Sequence, residues 1–136
     1  MAPRPRRRGL HELELAVVIP LVFLLLFGLL IGALGALRYR EVASLADEGA
    51  RYAAGHGRDY QKMTGHPAAT ATDVFNNAVS ADAVLLNPSQ LSSTVTWSPD
   101  NDQGSTVTVT VTYHWVPEAY LGGLTLSSTS TATIRY

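Results

Sequence analysis

The side chains best suited to metal or proton chemistry near neutral pH are four histidines, His11, His56, His66 and His114. None stands at a metal-ligand spacing from another, and no serine sits in a nucleophile motif, so all four read as structural. Asp100-x-Asp102-x-Gly104 has the start of a calcium loop. The residue at its twelfth position is Val111, where such a loop needs a bidentate glutamate, and a hairpin turn is expected instead. The chain has no cysteine, which excludes a disulfide framework and thiolate metal sites. Asn87-Pro88-Ser89 carries the proline that forbids N-glycosylation. No constellation supports an enzyme, a cofactor site or a metal site. The remaining acids of interest are Glu12 and Glu14, which stand at the mouth of an apolar stretch.

That stretch, Leu15–Leu37, runs 23 residues without a charge. A hydrocarbon core about 30 Å thick takes roughly 20 apolar residues as a helix, so the length predicts a single membrane span. Arg4, Arg6, Arg7 and Arg8 precede it with no acid among residues 1–9, which predicts an N-terminus held in the cytoplasm. Arg38, Arg40, Arg51 and Arg58 follow the span and partly offset that signal. Residues 57–136 hold three basic and six acidic residues, a net charge of −3, so the arginine cluster is read as topological and nucleic acid is not an expected partner. Pro20 falls inside the span and frees the carbonyl of Ala16. Gly28, Gly32 and Ala36 place small residues on one face, which suits close helix packing.

The elements that position these residues follow from periodicity. Val42, Leu45, Gly49, Tyr52 and His56 recur every three or four residues, flanked by Ala43, Ala46, Ala50 and Ala53. One helix is expected from about Leu10 to Ala54, apolar in its first half and amphipathic in its second. Gly55-His56-Gly57 breaks it, and a loop through "MTGHPAAT" is expected next. "TDVFNNAVSADAVLL" reads as a short helix capped by Thr72 or Asp73 and ended by Asn87-Pro88. "STVTW", "STVTVTVTYHW" and "LTLSSTSTATIRY" alternate with period two, and "PDNDQG" and "PEAYLGG" connect them. The expectation is an α+β protein: a long N-terminal transmembrane and amphipathic helix with a small domain of one short helix and a three-stranded antiparallel meander. Its segments are a basic leader at 1–9, a membrane helix at 10–37, an amphipathic continuation at 38–56 and an extracytoplasmic domain at 57–136.

Arg6–Gly9, "LHEL" and Glu14 resemble the class III prepilin signal, in which a basic leader and a glycine precede a glutamate by five positions. "LELAVVIP", with its step from Glu14 to Pro20, then "LLLFGLLIG", "LADEGARYAA" and the closing strands are similar to the TadE-like minor pilins, or pseudopilins, of the tight-adherence (Flp-type) pilus system. Leu15 stands where an aromatic is usual, Gly32 lies near a missing acid, and Glu12 is an additional acid. The resemblance implies a bacterial, non-enzymatic, inner-membrane protein used in pilus assembly and adhesion. It implies cleavage between Gly9 and Leu10 by a prepilin peptidase, and partners among membrane lipid, other pilin-like subunits and pilus platform proteins. The charged amine of Leu10 would then find a partner in Glu14. Two other readings of the residues stay open: an uncut signal-anchored module that binds an envelope ligand, and a secreted protein cut near residues 32–36.

Overall fold

A computed structural model describes residues 8–117 and 122–136. The leader arginines up to Arg7 and the middle of the "PEAYLGG" link lie outside the described residues. The chain divides into two compact units, one ending at Gly35 and one spanning Ala36–Tyr136. Helix α1 (Arg8–Gly55) is continuous and holds Pro20 within it. In the first unit it is the whole of the described structure, and in the second Gly49 brings it against Val109, Val79 and Val74.

In the second unit α1 is followed by α2 (Arg58–Thr64), by α3 (Ala71–Val74) with a π-helical turn at Phe75–Val79, and by strands β1 (Leu91–Ser98), β2 (Thr106–Trp115) and β3 (Leu124–Thr133). The strands form the expected antiparallel meander in the order β1-β2-β3, with Val95 opposite Val109 and Val109 opposite Ser130. Alternation decides the faces. Val107, Val109, Val111, Tyr113 and Trp115 are buried, while Thr106 before them and His114 among them are exposed. Each valine removed from water in this way contributes about 1.5–3 kcal/mol.

The face of α1 that meets the sheet is made of Val42, Leu45, Ala46, Gly49, Ala50, Ala53 and Ala54, all buried. Of the residues in the helical period, Tyr52 and His56 are only half-buried, while the flanking Ala46, Ala50 and Ala53 are buried. Small side chains let the helix backbone approach the valine row. A methyl group at Gly49 would stand 3.1 Å from Val109 Cγ1, 3.3 Å from Val79 Cγ2 and 3.4 Å from Val74 Cγ1.

Two expectations are corrected. The segment after Gly57 is not all loop, because α2 occupies Arg58–Thr64 and takes in the start of "MTGHPAAT". Gly65 ends α2 at φ 76°, a left-handed conformation that glycine adopts without a Cβ penalty. The helix expected over 72–86 starts earlier and ends sooner. Its N-cap is Thr70, with Asp73 as the third residue of a reciprocal capping box, so Asp73 is a partner of the cap and not the cap itself. After Val79 the backbone leaves the helical path, and the N–H groups of Val84 and Leu85 donate to Glu41 Oε1 at 2.7 and 2.8 Å instead of to helical carbonyls.

The end of α1 is closed by distant backbone. Ala54 O accepts from Arg135 N at 2.9 Å, and His56 O accepts from Ala69 N at 2.8 Å. These bonds satisfy carbonyls that a helix terminus leaves without an internal partner. They also bring the C-terminal segment onto Gly57. A Cβ there would collide with the Tyr136 carbonyl oxygen and stand 2.7 Å from Ile134 Cγ2, whereas Gly55 has open space around it. Gly57→Ala is therefore expected to destabilise the protein by roughly 1–3 kcal/mol, as overpacking against unyielding atoms does, while Gly55→Ala is not. Thermal melts of the two full-length variants in detergent check this, and equal melting points would refute it.

Candidate functional site

The first unit presents its side chains outward. Leu13, Val17, Leu24 and Leu29 are 68–75% exposed, as are most of their apolar neighbours to a lesser degree. Among the described residues one helix, Glu12–Gly55, is long and apolar enough to cross a membrane. Gly9 and Leu10 lie in the first turns of α1, and Glu14 is exposed one turn further on. Glu12 and Glu14 are separated by about 200° around the helix, so they address different neighbours. Gly28 and Gly32 lie on one face of α1, and a methyl group added at either would meet nothing within 4 Å. With Leu24, Leu25, Leu29 and Ala33 they line a shallow apolar depression of about 530 Å³. Ala36, expected on the same packing face, is exposed and falls in the second unit.

The second unit carries three polar constellations. Tyr52, His56, Tyr60, His66, Pro67, Ala69 and Asp73 line a pocket of about 220 Å³. Within it the His56 ring stacks on Tyr52 at 4.2 Å between centroids and meets Tyr60 at 4.6 Å. His56 Nδ1 lies 2.8 Å from the Tyr52 carbonyl, which only accepts, so the proton is on Nδ1. Asp73 is held by the Thr70 hydroxyl at 2.7 Å and by the Thr70 N–H at 2.9 Å, and these bonds lower its pKa below the usual aspartate value. At the β1–β2 turn Asp100 Oδ1 accepts from the Ser105 hydroxyl and the Asp102 N–H, which lowers its pKa in the same way. The turn is a hairpin connection, as expected, and among the described residues no group of three or more His, Asp or Glu is placed to hold a metal ion.

The third constellation is the outer face of the sheet. Its register aligns Ser92, Thr112 and Ser127; Thr94, Thr110 and Thr129; Thr96, Thr108 and Thr131; and Ser98, Thr106 and Thr133. Every position in these four rows carries a hydroxyl. Thr110 Oγ1 and Thr129 Oγ1 are 2.8 Å apart, within hydrogen-bond distance across the strands.

Residues 12–51 match the family model described as TadE-like protein. This segment is TadE-like. The match takes in Glu12, Glu14, Pro20, the apolar stretch with Gly28, Gly32 and Ala36, and "EGAR" up to Arg51. It begins two residues after Leu10, so Gly9 and Leu10 lie outside it, as do the three strands. No curated protein and no solved structure matches the chain significantly. The matched segment thus takes in the acids and apolar stretch of the first unit and the small-residue face of α1 in the second.

Sequence reasoning missed the Glu41 contact with Val84 and Leu85, because its partners are more than 40 residues away and are backbone N–H groups that leave no mark in residue type. It missed the ring stack as well. Tyr52, His56 and Tyr60 recur every four residues, which is a visible signal, but the break at Gly57 falls inside that run.

The capping box generates a pH prediction. Asp73 has a depressed pKa in the folded state, so its contribution is present above the usual value of 3.8 and is lost as pH falls through the folded value. Full-length protein in detergent is expected to lose thermal stability on acidification below that value more steeply than Asp73→Asn, which should start lower at neutral pH. Parallel pH profiles for the two proteins would contradict the assignment.

Proposed function

We propose that this chain is a membrane-anchored pseudopilin of a tight-adherence pilus, inserted by the apolar half of α1 and used in pilus assembly without enzymatic activity of its own. The observation that carries this reading is the TadE-like match over residues 12–51, which holds Glu14, Pro20, the uncharged stretch and "EGAR" on one continuous helix. The arginine leader supports an orientation with the N-terminus in the cytoplasm and the sheet unit outside the inner membrane.

The proposed chemistry is a charge pair created by processing. Cleavage after Gly9 by a prepilin peptidase leaves the amine of Leu10 at the edge of the lipid. A charge at the centre of a span costs about 2.5–3.5 kcal/mol on insertion scales and less toward the headgroups. Glu14, four residues on, offsets that cost by pairing with the amine, either its own or that of a neighbouring subunit. Gly28, Gly32 and Ala36 supply a face on which other pilin-like subunits or platform proteins can pack closely.

Expressed with its peptidase, the mature chain is expected to begin at Leu10, and Gly9→Val should block cleavage by placing a branched side chain before the scissile bond. Mass spectrometry of the N-terminus checks this. An intact leader beside an active peptidase would favour the uncut anchored module, and a start near residues 32–36 would favour the secreted protein.

Glu14→Gln is expected to leave insertion and cleavage intact but to lower pilus yield and subunit crosslinking. Losing one partner of a charge pair costs about 3–5 kcal/mol when burial is deep and less near headgroups. Glu12→Gln, on another side of the helix, should assemble normally. If the two variants behave alike, Glu14 acts only as a helix-end acid.

A further inference from the structure

The second unit has an apolar rim at the end where the chain enters it. Val84 is 84% exposed and Leu85 is 63% exposed. A loop tip ordinarily turns polar side chains to water, and two adjacent aliphatics held outward are unusual for it. They are held there: the backbone N–H groups of both residues donate to Glu41 Oε1, in the second turn of α1 within this unit. The end of β2 comes to the same level, because Arg38 lies over the Trp115 ring at 4.8 Å. Just beyond Trp115, Val116 is exposed, and Leu124, opposite Trp115 in the sheet register, is exposed too. Tyr39 and Arg40 are exposed on α1 itself.

The sequence says what lies at that level. Leu37 is the last residue of the uncharged stretch, and Glu41 follows four residues later on the same helix. Four residues rise about 6 Å. The headgroup layer on each side of a bilayer is roughly 5–7 Å thick, the difference between a core of about 30 Å and a total of about 40–45 Å. Side chains carried at the level of Glu41 therefore meet headgroups and not bulk water. The residue types agree. Tyr39 is an exposed aromatic of the kind favoured at that depth, Arg38 and Arg40 suit lipid phosphates, and Val84 and Leu85 suit the boundary with the acyl chains.

We propose that this rim, with the Val84-Leu85 tip as its apolar wedge, rests in the headgroup layer of the bilayer that α1 enters. The proposal depends on the anchoring reading above. Glu41 is a positioning residue: it fixes the loop so that its side chains and not its amides face the lipid. A second copy of the chain would also cover apolar residues, but it would not account for the spacing of the rim from the end of the uncharged stretch.

The chain has no cysteine, so single labels can be placed at will. Full-length Val84→Cys, Leu85→Cys and Thr110→Cys, each carrying an environment-sensitive fluorophore, are reconstituted into vesicles of phosphatidylethanolamine and phosphatidylglycerol with a headgroup spin label. Leu25→Cys with an acyl-chain spin label reports the span. The expected result is a blue shift and quenching at 84 and 85, with neither at Thr110 on the hydroxyl face. Adding Glu41→Ala to Val84→Cys should reduce both. Quenching at 25 with water-like emission at 84 and 85 would overturn the rim proposal and leave the anchoring reading standing. A blue shift at 84 that is not quenched, and that disappears on dilution of protein in lipid, would assign the rim to a second copy and overturn the proposal. Absence of quenching at 25 would overturn the anchoring reading and the rim with it.

Discussion

The close approach of α1 to β2 is the constraint on which the second unit depends. Gly49 brings the helix backbone within a methyl group of Val109, Val74 and Val79, so three elements meet at one residue that has no side chain. Ala46, Ala50 and Ala53 extend that narrow face along the helix, and Val107, Val109 and Val111 fill the space opposite. A small domain hides a limited share of its surface, so a core of this size relies on dense contact rather than on large side chains.

From that contact the other features follow in order. With β2 seated on α1, β1 and β3 flank it in register, and period-two alternation sends every second residue of β2 outward, from Thr106 to Thr112 a threonine each time. The backbone after β3 then returns to the end of α1 and donates to Ala54, which leaves room for nothing larger than glycine at residue 57. At the other end of the same unit Glu41 gathers the loop after the π-helical turn. Both ends are tied by polar groups, while the middle is held by valine and alanine.

The first unit presents a different surface. Its leucines, valines and phenylalanines have no protein partners to bury them among the described residues, and their exposure is costly in water and favourable in hydrocarbon. The match to the TadE-like model crosses from this stretch into the packed face of α1, so the matched segment is one helix with an exposed apolar part and a packed part. A helix suits both because it satisfies its own backbone hydrogen bonds wherever its side chains point.

Much of the architecture was legible in residue types alone. The uncharged run announced a long apolar helix, the threonine and valine alternation announced three strands and their order, and the pattern from Glu12 to "EGAR" announced the TadE-like match, because each is a local regularity with a direct physical meaning. Boundaries set by local chemistry were less secure: the helix cap moved from Thr72 or Asp73 to Thr70, since a capping box can be read at more than one threonine until the backbone chooses. What only the tertiary structure decided were the contacts made by groups far apart in the chain or by atoms every residue shares. Glu41 binding the amides of Val84 and Leu85, the C-terminal backbone closing on Gly57, and the burial of Ala46, Ala50 and Ala53 with Tyr52 and His56 left half-buried all depend on which surfaces fit at close range. Sequence specifies side chains one at a time, whereas close packing depends on the distances between all of them at once.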